Sequence, residues 1–156
     1  MAKNVFVFLL LSFFVLAVSR QEAFAQEKLY FNNSISDVQE ALVAGYVRIH
    51  LQAHIDDFTI ARTDLNYDGI FEFIVKLKDC GKVRELCDFH ILAEGPKGDK
   101  VLSLGVISAY QVAGGNGSAH GIRDILAFQN ELNDFSSVIY RWNEKSSQYQ
   151  MTEKGK

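Results

Sequence analysis

The chain has 156 residues, with 16 lysines and arginines against 19 aspartates and glutamates and a formal net charge of −3. That mild acidity argues against a nucleic-acid binder, because phosphate contacts need clustered Lys and Arg. The histidines His50, His54, His90 and His120 are scattered, and no Cys2His2-type ligand spacing exists.

Residues 1–25 read as an export address. Lys3 supplies a positive start, residues 5–18 (VFVFLLLSFFVLAV) form an apolar stretch, and Ala23-Phe24-Ala25 is the small-x-small pattern of a signal-peptidase site. As a helix that stretch spans about 21 Å, short of a roughly 30 Å hydrocarbon core, which disfavours a retained anchor. No Cys follows it, so the lipid-attached version of the signal is not expected. Cleavage after Ala25 leaves residues 26–156, one domain's worth, with a formal charge of −4 once Lys3, Arg20 and Glu22 are removed.

A helix is expected from Ser36, whose hydroxyl caps N–H groups while Gln39 three positions on completes a capping box. Val38, Ala41, Leu42, Val47 and Ile49 give a broken apolar stripe out to about His54. Gly45 weakens the middle by about 1 kcal/mol relative to Ala unless close packing demands it. His50 and His54 share a helical face and read as surface or half-buried residues.

From Phe58 the pattern turns to β. Phe58 and Ile60 precede a loop, and residues 70–77 follow as a strand with Phe71, Phe73, Val75 and Leu77 on one face. The other face (Ile70, Glu72, Ile74, Lys76) is mixed and expected to be half covered by the helix. The intervening loop holds oxygen donors Asp64, Asn66 and Asp68 at positions 1, 3 and 5, with Gly69 at 6, the Ile70 carbonyl at 7 and Glu72 at 9. That is the order of a calcium loop, in which a tight curl turns alternate side chains inward around a hard cation. Position 12 is Val75, and β-type segments flank the loop, so it is not an EF-hand. The metal-free alternative is a turn in which Asx side chains bond their own backbone.

Residues 63–75 resemble the D-L-N-x-D-G-x-x-E signature of FG-GAP/VCBS-type repeats, as carried in single copy by small exported bacterial proteins. The resemblance implies a strand-joining loop holding structural Ca2+. It also extends to a closely spaced Cys pair and a later Gly121-Ile122-Arg123-Asp124-Ile125 segment. Tyr67 stands where Gly is usual, and one good copy excludes a full propeller.

Cys80 and Cys87 read as a disulfide in an exported chain, tying a tip between two strands. Closing so small a loop is worth about 2–3 kcal/mol before strain. Further strands are expected at residues 87–93, 101–112 (one strand, or two joined at Gly105), 122–128, 136–142 and 147–151. The expected fold is α+β: an N-terminal helix packed on a mainly antiparallel sheet of about five to seven strands, in a single domain. Residues 114–121 (GGNGSAHG) read as an adaptable loop, with no phosphate-loop ending and no carboxylate placed to orient His120 beside Ser118.

Together these features point to an exported, periplasmic or secreted, non-catalytic protein-binding domain, such as an inhibitor of an envelope or secreted hydrolase. Its contact residues are expected to be Lys82, Arg84 and Glu85 of the tied tip, with Asn116 and His120 of the glycine-rich segment. A tied loop lowers the ordering cost of insertion into a partner's cleft. The partner expected is an exported or envelope protein, with no nucleic acid and no stable membrane insertion. A carbohydrate- or peptidoglycan-active hydrolase and a purely structural envelope protein are the alternatives.

Overall fold

A computed structural model of the protein describes residues 27–33, 35–81, 85–129 and 137–152. The expected signal peptide, residues 1–25, lies outside them, as do Lys82 and Arg84. No helix among the described residues is long and apolar enough to cross a membrane.

The described elements begin with the short strand β1 (Glu27–Lys28) and helix α1 (Asp37–Tyr46). A π-helical turn (Val47–Leu51) and a 3-10 turn (Ile55–Asp57) follow. Then come β2 (Phe58–Thr63), β3 (Glu72–Leu77), β4 (Cys87–Glu94), β5 (Val101–Ala109) and β6 (Gln111–Ala119). The last are β7 (Ile122–Phe128), β8 (Ser137–Asn143) and β9 (Gln148–Met151). The strands form two antiparallel sheets, ordered β2-β3-β4-β5 and β1-β6-β7-β8-β9. The expectation of an α+β fold with a single sheet is thereby corrected. The protein is mostly β, a sandwich of two sheets with one short helix.

The reason lies in β3. Its residues 72–75 are buried on both faces. Ile74 points into a core between the sheets, with Ala61, Phe89, Ile91, Ile107, Val112, Ile125 and Tyr149. Phe73 and Val75 point the other way, into a second cluster with Phe58, Ile60 and Leu92 that is closed by Val43 of α1 and Val47 just beyond it. The helix therefore meets the wholly apolar face, whereas the mixed face meets the second sheet. At about 1.5–3 kcal/mol for each fully buried large apolar side chain, both clusters outweigh the local propensities of their strands. A strand buried on both sides needs two layers, and alternation alone does not say what the second layer is.

The helix starts as expected: the Ser36 hydroxyl accepts from the Gln39 N–H at 3.3 Å, and the Gln39 side-chain Oε1 accepts from the Ser36 N–H at 3.2 Å. It ends earlier than expected, at Tyr46, and then widens into the π-turn, which stops at Gln52 in the left-handed region (φ 54°). Gly45 is not a packing residue, since a Cβ there would meet nothing within 4 Å.

Residues 101–112 divide into two strands, but at Tyr110 instead of Gly105. Gly105 sits inside β5 at a bulge, where the register steps from Ile91↔Gly105 to Leu92↔Ser103. The glycine-rich segment is not a loop. Residues 114–119 belong to β6, and the chain reverses at His120 (φ 53°) and Gly121 (φ 79°), both left-handed as the twist of a two-residue hairpin requires.

Candidate functional site

The strands carry candidate residues to opposite ends of the sandwich. β3 leaves the 64–71 loop at Glu72 and arrives at the Cys80 turn, so that loop and the tied tip are a strand's length apart. β6 departs from beside the tip, where Cys87 faces Ala109, and runs to the His120–Gly121 turn near the loop. Glu85 is thus at one end, with Asn116 and His120 at the other. The structure does not bring these expected partner contacts onto one surface.

At the loop end, Asp64, Asn66, Asp68, Ile70 and Glu72 fall within one curl. The Gly69 N–H donates to Asp64 Oδ2 at 3.0 Å, the Asp68 N–H to Asn66 Oδ1 at 3.1 Å, and the Ile70 N–H to Asp68 Oδ1 at 2.7 Å. Gly69 has φ 83°, which its missing side chain makes cheap, while Tyr67 takes φ 59° without that freedom. Leu65 is 1% exposed and plugs the loop into the core, and its N–H donates to Glu72 Oε2 at 2.7 Å. Burial pushes the Glu72 carboxyl above its ordinary range, the Asp68 and Asp64 charges add to this, and the Leu65 N–H opposes it. Asp64 Oδ1 and Thr63 Oγ1 are buried side-chain oxygens with no hydrogen-bond partner. Among the described residues, no group of three or more His, Cys, Asp or Glu is drawn together closely enough to hold a metal ion by itself.

This curl is bolted to the second sheet by Arg123, a residue that periodicity does not single out. The Arg123 N–H donates to the Leu65 carbonyl at 2.7 Å, and its Nε donates to the Gly115 carbonyl at 3.1 Å. Its guanidinium pairs with Glu27 of β1 and lies 5.5 Å from the Tyr67 ring centre. Its own carbonyl accepts from the Tyr149 hydroxyl at 2.8 Å. Burial, together with the nearby Glu72 and Asp124 charges, pushes the Tyr149 phenol well above its usual range. Asp124, 2% exposed, accepts from Arg141 Nε and Nη2 at 3.0 and 2.7 Å. The pair holds the Arg141 guanidinium above its ordinary value.

The glycines of β6 make room for this network. A Cβ at Gly114 would lie 2.9 Å from Arg123 Nη2, one at Gly115 3.0 Å from the Asp124 carbonyl oxygen, and one at Gly117 would strike Asp124 Oδ2. The sequence signal was therefore present but of another kind. Three glycines opposite an Arg-Asp pair mark a close approach of side chains to a neighbouring strand.

At the tip end, Cys80 and Cys87 are joined, with Cα atoms 5.6 Å apart. The bridge fastens the β3–β4 connection beside the π-turn and the 3-10 turn, and a cleft of about 980 Å³ opens between them. Leu51 of the π-turn, Phe58 of β2, Leu77 of β3 and Leu86 just before β4 line it. Among the described residues, Asp56, Asp57, Asp79, Glu85, Asp88 and Lys78 line it too. His90 stands on its wall, 6.1 Å from the Tyr46 ring, whose other neighbour is His50 at 4.7 Å. His90 Nδ1 is buried without a hydrogen-bond partner, and burial lowers the imidazole's affinity for a proton while Asp88 partly restores it.

His120 and Glu144 approach to 3.5 Å on the solvent side of the loop end, with side chains 60% and 72% exposed, an arrangement that fixes little. No protein-family model, curated protein or solved structure matches the chain.

Proposed function

We propose that this is an exported, periplasmic or secreted, non-catalytic protein-binding domain whose contact surface is the cleft beneath the tied tip, with a structural Ca2+ loop bracing the opposite end. The observation that carries the reading is the cleft itself. A disulfide fixes one wall, two helical turns form the other, and Leu77 and Leu86 stand half exposed (49% and 48%) within it. A wall held by a covalent bond loses little entropy when a partner docks. The disulfide is also what an oxidising, exported compartment permits.

The non-catalytic reading is supported by how the buried acids are employed. Glu72 holds the Leu65 N–H and Asp124 holds Arg141, so each serves the fold. The calcium reading is supported by the donor order of residues 64–72 and by the unpartnered, buried Asp64 Oδ1. The donor set is hard oxygen throughout. Asp64, Asn66, Asp68, Glu72 and the Ile70 carbonyl would hold the ion with water completing six to eight positions, and the ion's role would be to brace the connection.

Affinity capture from the exported fraction tests the binding role, using residues 26–156 beside a Leu77→Asp, Leu86→Asp variant. Loss of one specific partner on mutation supports it. Turnover of a polysaccharide or peptidoglycan by the purified domain, abolished by a carboxylate substitution, overturns it. Calorimetry tests the ion: heat of Ca2+ binding that Asp68→Ala removes supports the site, and no heat at millimolar Ca2+ leaves the loop a metal-free turn.

A further inference from the structure

We propose that the Asn116–Gly117 link is a site of spontaneous covalent modification. Asn116 is converted there to aspartyl and isoaspartyl residues, and the isoaspartyl form unfastens the loop end of the sandwich.

Asparagine is a thermolabile residue, because the following main-chain nitrogen can attack its side-chain amide. Here the Gly117 nitrogen bonds to Asn116 Cγ while the Cγ–Nδ2 bond breaks. Ammonia leaves, carrying the proton that the Gly117 nitrogen gives up. Water then opens the five-membered succinimide at either carbonyl. One opening gives an ordinary aspartyl link, and the other routes the main chain through the former side chain. A side chain on the following residue screens the attacking nitrogen, and glycine has none. Asn116 is the one asparagine of the chain that glycine follows.

The fold keeps glycine at that position. A Cβ at Gly117 would strike Asp124 Oδ2, and Asp124 is committed to Arg141 Nε and Nη2 at 3.0 and 2.7 Å. The strand is also irregular here. Gly114 pairs with Ile125 and Ser118 with Arg123, so residues 115–117 of β6 stand against Asp124 alone on β7. Along the other edge of β6, β1 pairs only with Ala113 and Gly114, and Asn116 is exposed. Such a bulge leaves the main chain outside the even ladder that holds a regular strand extended. Asp68–Gly69 is open to the same cyclisation, yet its reacting groups are engaged. The Gly69 N–H donates to Asp64 Oδ2 at 3.0 Å, and Asp68 Oδ1 accepts from the Ile70 N–H at 2.7 Å.

Arg123 holds β6 on both sides of Asn116. Its Nε donates to the Gly115 carbonyl at 3.1 Å, and its main chain pairs with Ser118. An isoaspartyl link inserts one methylene into the main chain between those two fixed points. Taking up the extra length releases one of them, and Arg123 also carries Glu27 and, through its N–H at 2.7 Å, the Leu65 carbonyl. The ordinary aspartyl product adds a charge but leaves the length of the chain unchanged.

The test ages residues 26–156 in warm, mildly alkaline buffer, followed by peptide mapping, isoaspartate-specific enzymatic methylation and thermal unfolding. Asn116 should be the first asparagine converted, and the thermal midpoint of the isoaspartyl fraction should fall by about 3–8 °C. Asn116→Asp, which carries the charge without the methylene, should lose less than half of that. Aged Asn116→Gln, whose cyclisation needs a larger ring, should keep its midpoint. Earlier conversion of another asparagine, or an isoaspartyl fraction as stable as fresh protein, overturns the proposal. So does a loss in Asn116→Asp equal to that of the isoaspartyl form, or a falling midpoint in aged Asn116→Gln.

Discussion

The two ends of the sandwich are secured by different physics. At the loop end, one buried arginine collects contacts from β1, β6, the 64–71 loop and the Tyr67 ring, and beside it Glu72, Asp124 and Tyr149 are held off water. At the tip end a single covalent bond holds the β3–β4 connection, and the space around it stays open. A network of buried charges is stable only when each member keeps its partners, so it tolerates few changes. A disulfide needs no neighbours, which frees the surrounding residues to differ in sign, size and exposure. The contrast places rigidity at one end and, on the proposed reading, the contact surface at the other.

Removing the arginine should break that contrast most severely. Arg123→Met strips Glu27 and the Gly115 carbonyl of their partner and unfastens β1, with an expected cost of about 3–5 kcal/mol in denaturant unfolding. Gly117→Ala asks less, forcing only the Asp124 carboxylate aside, and should cost about 1–3 kcal/mol. A cost below a few tenths for either substitution would mean that the loop end is not the rigid half. The matching change at the tip, Cys80→Ala with Cys87→Ala, should cost about 2–3 kcal/mol, the entropy of a small loop. It should also weaken partner capture, an effect that neither loop-end variant is expected to share.

A pH experiment sharpens the comparison. Burial holds the His90 imidazole below its ordinary value of 6.5 in the folded protein, so the unfolded chain takes up a proton first as the pH falls. The folded state is therefore unpenalised above pH 6.5 and loses stability as the pH drops below it, until the depressed folded value is reached. Denaturant midpoints at pH 7.5 and 5.5 should differ more in the parent than in His90→Leu, and equal differences would remove His90 from the account.

How much of this was legible in the sequence follows from the range of each interaction. The Ser36–Gln39 box and the Cys80–Cys87 bridge are set by residues close together in the chain, and both are found as read; the curl of residues 64–72 is equally local, its Asp64, Asn66 and Asp68 side chains accepting from its own backbone. The second sheet was not legible. Which layer covers Ile74 depends on Ile125 and Tyr149, whose partners lie tens of residues away. The glycine-rich segment misled for a related reason. Gly114, Gly115 and Gly117 look like a loop when only their own conformational freedom is considered, yet they are a strand whose side chains are missing because Arg123 and Asp124 occupy the space. The cleft was half legible. Glu85 came from the tip, but Asp57 and His90 reach it only through the fold.

The smallest expected effect concerns Gly45, where sequence reasoning left two outcomes and the structure selects one. Gly in a helix interior costs about 1 kcal/mol relative to Ala, a cost worth bearing only if the missing Cβ lets another element approach. No atom lies within 4 Å of the position a Cβ would take, and α1 already buries Val43 without help from its neighbour. Gly45→Ala should therefore stabilise the domain by about 0.5–1 kcal/mol, chiefly by restricting the unfolded chain, with calcium binding and partner capture unchanged. Destabilisation would show that the residues following Tyr46 need the freedom of glycine to widen into the π-turn, which would make that turn, and the cleft wall it forms, a strained element instead of a relaxed one.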